Sequence, residues 1–392
     1  MDQAELRELF SPEGLRLLDS LAPYESTADV VRTVSELRKA GHSAGLVAAV
    51  LNQSKLRSRA VAKFGGFAAR MLFTEAGLEQ ATRLSVAALH AGRFQRAGLT
   101  RIADLGCGIG SDALAMAALE LDVTAVERDE VTAAIAAYNL APWSNAHVEH
   151  LTAEQFDLVG TDGVYLDPAR RDGVRRLKDP SDWSPSLDFA FGVAQRLPAG
   201  VKLGPGIDRG LIPEHAEAQW ISVDRDVVEL GLWFGALARP GIRRAALVTG
   251  THGAAELTAS SDSADEAVGA LGEYLFEPDG AVIRARLIGD LARQSSARMI
   301  SDSIAYFTAD EPTNTPFATC FRVPANWPLD QRTIKRELAD LSIGTIEIKK
   351  RGVQIDPSEF RTALAPKGDL SATLVLTRVA GKRRALLVER CF

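Results

Sequence analysis

The chain has 392 residues, 24% charged and 46% hydrophobic, with 45 Lys/Arg against 51 Asp/Glu for a formal net charge of −6. This is the composition of a soluble protein with two or three cores; the absence of any apolar run of about 18 residues argues against a membrane span, and the charged start MDQAELREL is unlike a signal peptide, so a cytoplasmic location is expected. Cys107, Cys320 and Cys391 are too scattered for a disulfide framework or a zinc cluster, and no metal is expected.

Residues 1–62 read as helical. Ser11-Pro12 is an N-cap followed by proline at the first helical position, and ADVVRTVSELRKAG (28–41) has an apolar period ended by Gly41. Lys55, Arg59 and Lys63 recur every four residues and share one helix face, the pattern of a solvated surface. After the Gly65-Gly66 joint, Thr74 is placed to cap a helix running up to the first strand.

RIADLGCGIGSDALAMA (101–117) orders a short strand, glycines at every second position (Gly106, Gly108, Gly110) and a helix-forming run. Asp104 closes the strand, the missing Cβ atoms let backbone approach a ligand, and Ser111 and Asp112 open a helix whose N–H groups face the same crevice. A second strand, LDVTAVERD (121–129), carries Glu127 and Arg128 at its end, where in doubly wound folds an acid reaches ribose hydroxyls. NAD and S-adenosylmethionine both fit such a loop with a downstream acid, but the dinucleotide loop has its third glycine where this chain has Ser111.

Strand-like runs at 101–105, 121–126, 147–151, 163–167, 200–203, 219–223 and 243–248 alternate with helical ones. That predicts an α/β doubly wound parallel sheet, with ligands at the carboxyl ends of its strands. Asp167 and Pro168 close the fourth strand in VYLDPARRD (164–172). The polar loop that follows (169–188) carries Arg170, Arg171, Arg175, Arg176 and Lys178, whose cations suit phosphates, and Trp183, which offers a stacking surface; three of the acids Asp172, Asp179, Asp182 and Asp188 could equally neutralise the arginines within the loop. RDVVELGLWFGALARPG, from 225, reads as an apolar helix with Glu229 and Trp233 on one face, and EYLFEPDGAVIRARLIGDLARQ (273–294) as a turn at Glu277-Pro278 and then a helix.

Residues 317–392 hold 14 Lys/Arg against 8 Asp/Glu, leaving 31 against 43 elsewhere: a basic module on an acidic body. Alternating strands and helices predict a small α+β domain, with Lys349, Lys350 and Arg351 as one basic corner and Lys382, Arg383 and Arg384 as another.

The D-x-G-x-G-x-G run followed by an acid resembles the first motif of Rossmann-like S-adenosylmethionine-dependent methyltransferases, and the Asp-Pro of YLDPARRD their fourth. The resemblance implies S-adenosylmethionine as cofactor, held by Asp104, Gly106, Gly108, Gly110, Glu127, Arg128, Asp167 and, in HLTAEQF (150–156), Ala153 and Glu154. Similarity to trimethylguanosine synthases, which methylate the exocyclic amine of a cap guanine, adds Phe73 and Thr74 at the methionine end. In amino-group methyltransferases the similar fourth motif is Asp or Asn, two prolines and an aromatic. By that resemblance Asp167 and the Pro168 carbonyl accept the amine's hydrogens here, while Ala169 and Arg170 stand in place of the second proline and the stacking aromatic. DPAR is also similar to the fourth motif of 5-methyluridine methyltransferases, but no cysteine nucleophile follows in KLGPGI (202–207), which disfavours carbon-5 chemistry.

The whole chain resembles actinobacterial methyltransferases that end in a THUMP-like domain, most strongly at DLGCGIGSDALA, YLDPARRD and IEIKKRG. This implies a helical domain over 1–72, a methyltransferase domain over 73–316 and a THUMP-like domain over 317–392. By association it implies RNA as substrate, with contacts from Arg170, Arg171, Arg175, Arg176, Trp183, Lys349, Lys350 and Arg351. A small-molecule or protein methyltransferase, and a cofactor- and RNA-binding module without turnover, are the other readings the sequence allows.

Overall fold

The computed structural model describes residues 1–21, 27–169, 171–172, 175–176, 179–251 and 253–392, with backbone alone at 27–29, 171–172, 175–176 and 180. Two units divide the chain: Met1–Leu203 with Trp233–Ala238, and Gly204–Leu232 with Arg239–Phe392.

The first unit opens with α1 (Gln3–Leu9), α2 (Pro12–Ser20), α3 (Thr27–Lys39) and α4 (Ala44–Phe64). Local capping sets their starts: Asp2 forms a capping box with Glu5, Ser11 caps α2 with Pro12 behind it, and Ser43 caps α4. The Gly65-Gly66 pair, expected as a flexible joint, opens a 3₁₀ turn over Gly65–Arg70. Thr74 then caps α5 (Glu75–Gln80), which stops short of the first strand, and a separate helix, α6 (Leu84–Arg96), completes the path. Two of the three residues on the basic face of α4 are used internally, since Arg59 pairs with Glu75 at 2.8 Å and Lys63 Nζ donates to the Leu78, Glu79 and Ala81 carbonyls at 2.8, 2.7 and 2.8 Å, while Lys55 is exposed.

Five strands follow: β1 (Arg101–Leu105), β2 (Asp122–Glu127), β3 (Ala146–His150), β4 (Gly163–Leu166) and, after the short ribbon β5 (Arg171–Asp172) and β6 (Arg175–Arg176), β7 (Ala199–Leu203). They pair in parallel in the order β7-β4-β1-β2-β3. All four residues of β4 are buried, as an unbroken apolar run in a central parallel strand requires. The crossover helices are α7 (Ser111–Ala118), α8 (Glu130–Leu140) and α9 (Leu187–Ala194). One apolar core runs from Leu9, Leu18 and Leu56 through Phe64, Phe73 and Phe94 to Ile135, Tyr165 and Trp233, so the leading helices and the sheet are packed together. Gly200 is required where it stands, because a Cβ there would lie 2.6 Å from the Trp233 ring and 2.9 Å from Tyr165.

In the second unit the strand order is β11 (Gly253–Ala259), β10 (Arg244–Gly250), β8 (Glu217–Val223), β9 (Asp226–Phe234, whose last two residues belong to the first unit), with β8 and β10 parallel and β10 and β11 antiparallel. The helix expected from 225 is therefore the strand β9. Asp224 and Arg225 take φ of 50° and 76°, the left-handed pair of a two-residue hairpin, and deliver a β-branched and aromatic run into the sheet.

A seven-stranded sheet follows, in the order β13 (Arg298–Met299), β14 (Phe307–Ala309), β12 (Tyr274–Pro278), β15 (Ala318–Pro328), β18 (Lys382–Arg390), β17 (Leu370–Val379), β16 (Ile343–Lys350). The turn expected at Glu277-Pro278 is part of β12, and α10 (Gly280–Ala285) and α11 (Ile288–Gln294) come after it. On one face α12 (Gln331–Asp340) and α13 (Pro357–Leu364) bury Ile334, Leu338 and Leu364 against Ile346, Leu374 and Leu387. Leu275, Ile300, Tyr306, Phe321 and Val388 form a second cluster. Among the described residues no helix is long and apolar enough to cross a membrane, and no three His, Cys, Asp or Glu side chains are grouped as a metal site.

Candidate cofactor and acceptor site

The β1–α7 turn takes the backbone shape its glycines allow, with φ of 84°, 56° and 86° at Gly106, Gly108 and Gly110. The Gly106 and Cys107 N–H groups both donate to the Val126 carbonyl, at 2.9 and 3.0 Å. Two buried amides fasten the neighbouring segment to this turn. Gln53 donates to the Phe73 carbonyl at 2.7 Å and accepts from its N–H at 3.0 Å, while Asn139 accepts from Leu72 N–H at 2.8 Å and donates to the carbonyls of Leu72 and Ile109 at 3.0 and 2.9 Å. The Phe73 ring is fully buried against Phe64, and Thr74 is used as the cap of α5. Gly77 lets that helix touch the loop, because a Cβ there would lie 2.5 Å from Ile109.

Asp104 is buried at the end of β1. Burial, then the Asp112 and Asp167 charges, hold its carboxyl well above the usual carboxylate range, although the Ala113 N–H donates to it. Among the described residues its Oδ2 has no hydrogen-bond partner, an orphan acceptor beside the glycine turn that suits an ammonium group. Glu127 is already oriented, its two oxygens accepting from the Gly108 and Asp129 N–H groups at 3.0 and 2.9 Å, and burial keeps its carboxyl above the ordinary glutamate value. Arg128 is exposed, and its carbonyl lies 3.0 Å from His150 Nε2. Ala153 is buried, and Glu154 is on the rim of a cleft of about 450 Å³ that Phe156, Leu158 and Phe189 also line.

Asp167 stands at the carboxyl end of β4, its N–H reaching the Leu105 carbonyl at 3.4 Å. A Cβ on Gly106 would come within 3.2 Å of the Asp167 carbonyl oxygen, so the glycine admits the motif to the loop. Pro168 is buried, and Ala169 is bridged to Ser184. Sequence reasoning missed what lies behind the Asp167 side chain. Lys202 Nζ is 2.5 Å from Asp167 Oδ2 and donates to Thr82 Oγ1 at 2.9 Å; Thr82 donates to Asp112 Oδ2 at 2.6 Å. Asp112 Oδ1 lies 2.8 Å from His90 Nδ1, which is 3.0 Å from the Tyr165 hydroxyl. Burial would raise the Asp112 carboxyl, but His90, Lys202 and Thr82 outweigh it and hold it below the ordinary aspartate value. The one sequence signal was a lysine inside the apolar run GVKL.

Arg170 lies outside the described residues. Arg171 pairs across the β5–β6 ribbon with Arg176, and Asp172 with Arg175, but their side chains also lie outside the description. Trp183 is buried at 8% exposure, so its ring is not the open stacking surface expected of it. The corner at 349–351 differs from expectation too. Lys349 pairs with Glu277 at 2.8 Å, Lys350 donates to the Ile355 carbonyl at 2.8 Å, and the Arg351 guanidinium lies 5.0 Å from the centre of the Tyr306 ring. Tyr306 donates to the same Glu277 at 3.0 Å, and burial beside that acid pushes its hydroxyl up to about 12.

Two family models match the chain: THUMP domain-like over residues 318–390, and a domain of unknown function (DUF8688) over residues 2–60. Proteins of Mycobacterium tuberculosis, from strains CDC 1551 and H37Rv, each named as an uncharacterized S-adenosylmethionine-dependent methyltransferase, are 32% identical over 333 residues, which is 83% of this chain and 90% of theirs. A crystal structure from Porphyromonas gingivalis W83, described as a methyltransferase, superposes with a TM-score of 0.70 at 19% identity, covering 94% of this chain and 99% of that one.

Proposed function

Since this chain belongs to the S-adenosylmethionine-dependent methyltransferases, we propose that it methylates a base nitrogen of RNA and that Asp167 aligns the acceptor. The observation that carries the reading is the Asp167 carboxylate, held by Lys202 at the carboxyl end of β4 beside Gly106. Bound S-adenosylmethionine supplies an electrophilic methyl group. In this reading Glu127 accepts from the ribose hydroxyls, the orphan oxygen of Asp104 accepts from the ammonium of the methionine portion, and the glycine turn admits the cofactor's backbone-facing edge.

Asp167 accepts hydrogens from an exocyclic amine and so points the nitrogen lone pair at the methyl carbon. A carboxylate paired with a lysine presents acceptor oxygens, which suit an N–H donor. The match to the THUMP-like family supports RNA as the molecule that carries the amine. The test compares modified nucleosides in RNA from cells with and without the gene, then asks whether purified protein transfers labelled methyl groups to the RNA from cells that lack it. A nucleoside lost with the gene and restored in vitro is the expected result, and its absence would return the reading to small-molecule or protein acceptors.

A further inference from the structure

With the lysines and arginine of 349–351 engaged inside their own unit, a polyanion needs a different foothold there. Among the described residues of the second unit, two arginine sites have opposite character. Arg239 is matched by two acids, Glu217 at 2.6 Å and Glu256, and is neutralised where it stands. At the other, four arginines gather and Asp262 is the acid that pairs with them among the described residues. Arg209 Nη2 donates to both Asp262 oxygens at 2.7 and 2.8 Å, and Arg244 Nε donates to the same carboxylate at 2.6 Å. Arg209 Nη1 donates to the Arg284 carbonyl at 2.5 Å, and its guanidinium lies 5.1 Å from the centre of the Trp220 ring. Arg284 Nη1 donates to the Pro205 carbonyl at 3.0 Å. Arg286, the left-handed C-cap of α10, is exposed and has no side-chain partner among the described residues.

Asp262 offsets one positive charge of the four. The crowding acts on Arg209, whose pKa is lowered by burial and by the Arg244 and Arg286 charges in spite of Asp262. Self-repulsion of this kind costs stability in the free protein and is relieved when an anion arrives. In the free protein Asp262 occupies donors of Arg209 and Arg244 that an arriving anion can take over, and Arg284 and Arg286 present further donors at the surface. Planar guanidinium forks match phosphate oxygens bidentately.

We propose that Arg209, Arg244, Arg284 and Arg286, gathered around Asp262, form a phosphate-binding surface that holds the backbone of the RNA substrate. This inference rests on the RNA reading above and adds a place to it. The test is equilibrium binding of bulk tRNA to the full-length protein, saturated with S-adenosylmethionine, across a salt series. The double variant R284Q/R286N changes two exposed side chains and keeps a residue tolerant of the left-handed conformation at 286.

It should lower the slope of log affinity against log salt by about 2 and weaken binding roughly tenfold, with cofactor affinity unchanged and the melting temperature no lower. D262N, which frees the forks, should move binding the opposite way, tightening it severalfold. An opposite sign cannot come from damage to the fold. If the wild type binds tRNA and neither variant changes it, or if D262N weakens binding as much as the double variant does, the cluster is not the foothold and the RNA reading stands. If the wild type does not bind tRNA at low salt, the RNA reading falls and takes this inference with it.

Discussion

Lys202 Nζ stands 2.5 Å from Asp167 Oδ2 and 2.9 Å from Thr82 Oγ1, so the carboxylate proposed to align the acceptor is anchored to a buried chain of side chains ending at His90 and Tyr165. Lys202 is then a positioning residue. Lys202→Met should leave S-adenosylmethionine affinity within about twofold of wild type but cut methyl transfer by about 100-fold, the scale of loss that a 1 Å misplacement brings. Lys202→Arg keeps the charge and should recover part of the rate. Loss of cofactor affinity in step with rate would instead mean that Lys202 supports the fold.

Asp104 leads to a prediction about protons. Burial and two neighbouring acids hold its carboxyl well above the usual range, which favours the protonated form in the free protein. An arriving ammonium favours the ionised form, so cofactor binding should release a proton. Calorimetry in buffers of different ionisation enthalpy reads this directly, and proton uptake would contradict it. Asp104→Asn removes the buried charge: it should weaken the cofactor and abolish the linked proton while leaving stability at neutral pH equal or higher.

The raised Glu127 carboxyl gives a pH dependence. Ribose hydroxyls donate to the ionised form, so cofactor affinity should be level at high pH and fall as pH drops through the raised pKa, starting at a higher pH than an ordinary glutamate would. Stability moves the other way. In the window between the unfolded and folded pKa values the folded state holds more protons, so the Glu127 contribution to stability decreases as pH rises through it. Glu127→Ala should weaken the cofactor by about 1.5–3 kcal/mol per hydrogen bond lost and flatten the affinity profile. An unchanged affinity would place Glu127 outside the cofactor contacts.

Local signals carried far in the sequence. Ser11-Pro12, Thr74 and the glycine turn mark boundaries the structure keeps, because capping and left-handed backbone are decided within a few residues. The strand β9 was hidden for an equally local reason. Its hairpin uses Asp224-Arg225 where Asn-Gly would have announced it, and burial on both sides removes the alternation that marks a strand. Side-chain partnerships were the least legible part. Lys202 meets Thr82 across 120 residues of sequence, and Lys349 meets Glu277 across 72, so charge counting found a basic corner where the fold has an ion pair.

Asp167 itself gives the last prediction. Its carboxylate is one-third exposed, and its carbonyl borders the glycine turn, so it can meet an acceptor amine while paired with Lys202. Asp167→Ala removes the acceptor oxygen and leaves Lys202 without this partner. Cofactor affinity should hold while transfer falls by about 100-fold or more. Asp167→Asn is the sharper probe, because it keeps one acceptor oxygen in the same place but cannot take a proton. If orientation of the nitrogen is the role, Asn should retain a clear fraction of the rate, and a pH–rate profile should lose little of its shape. If proton removal must precede transfer, Asn should be as inactive as Ala. Wild-type rates in both variants would move the acceptor site away from the end of β4 altogether.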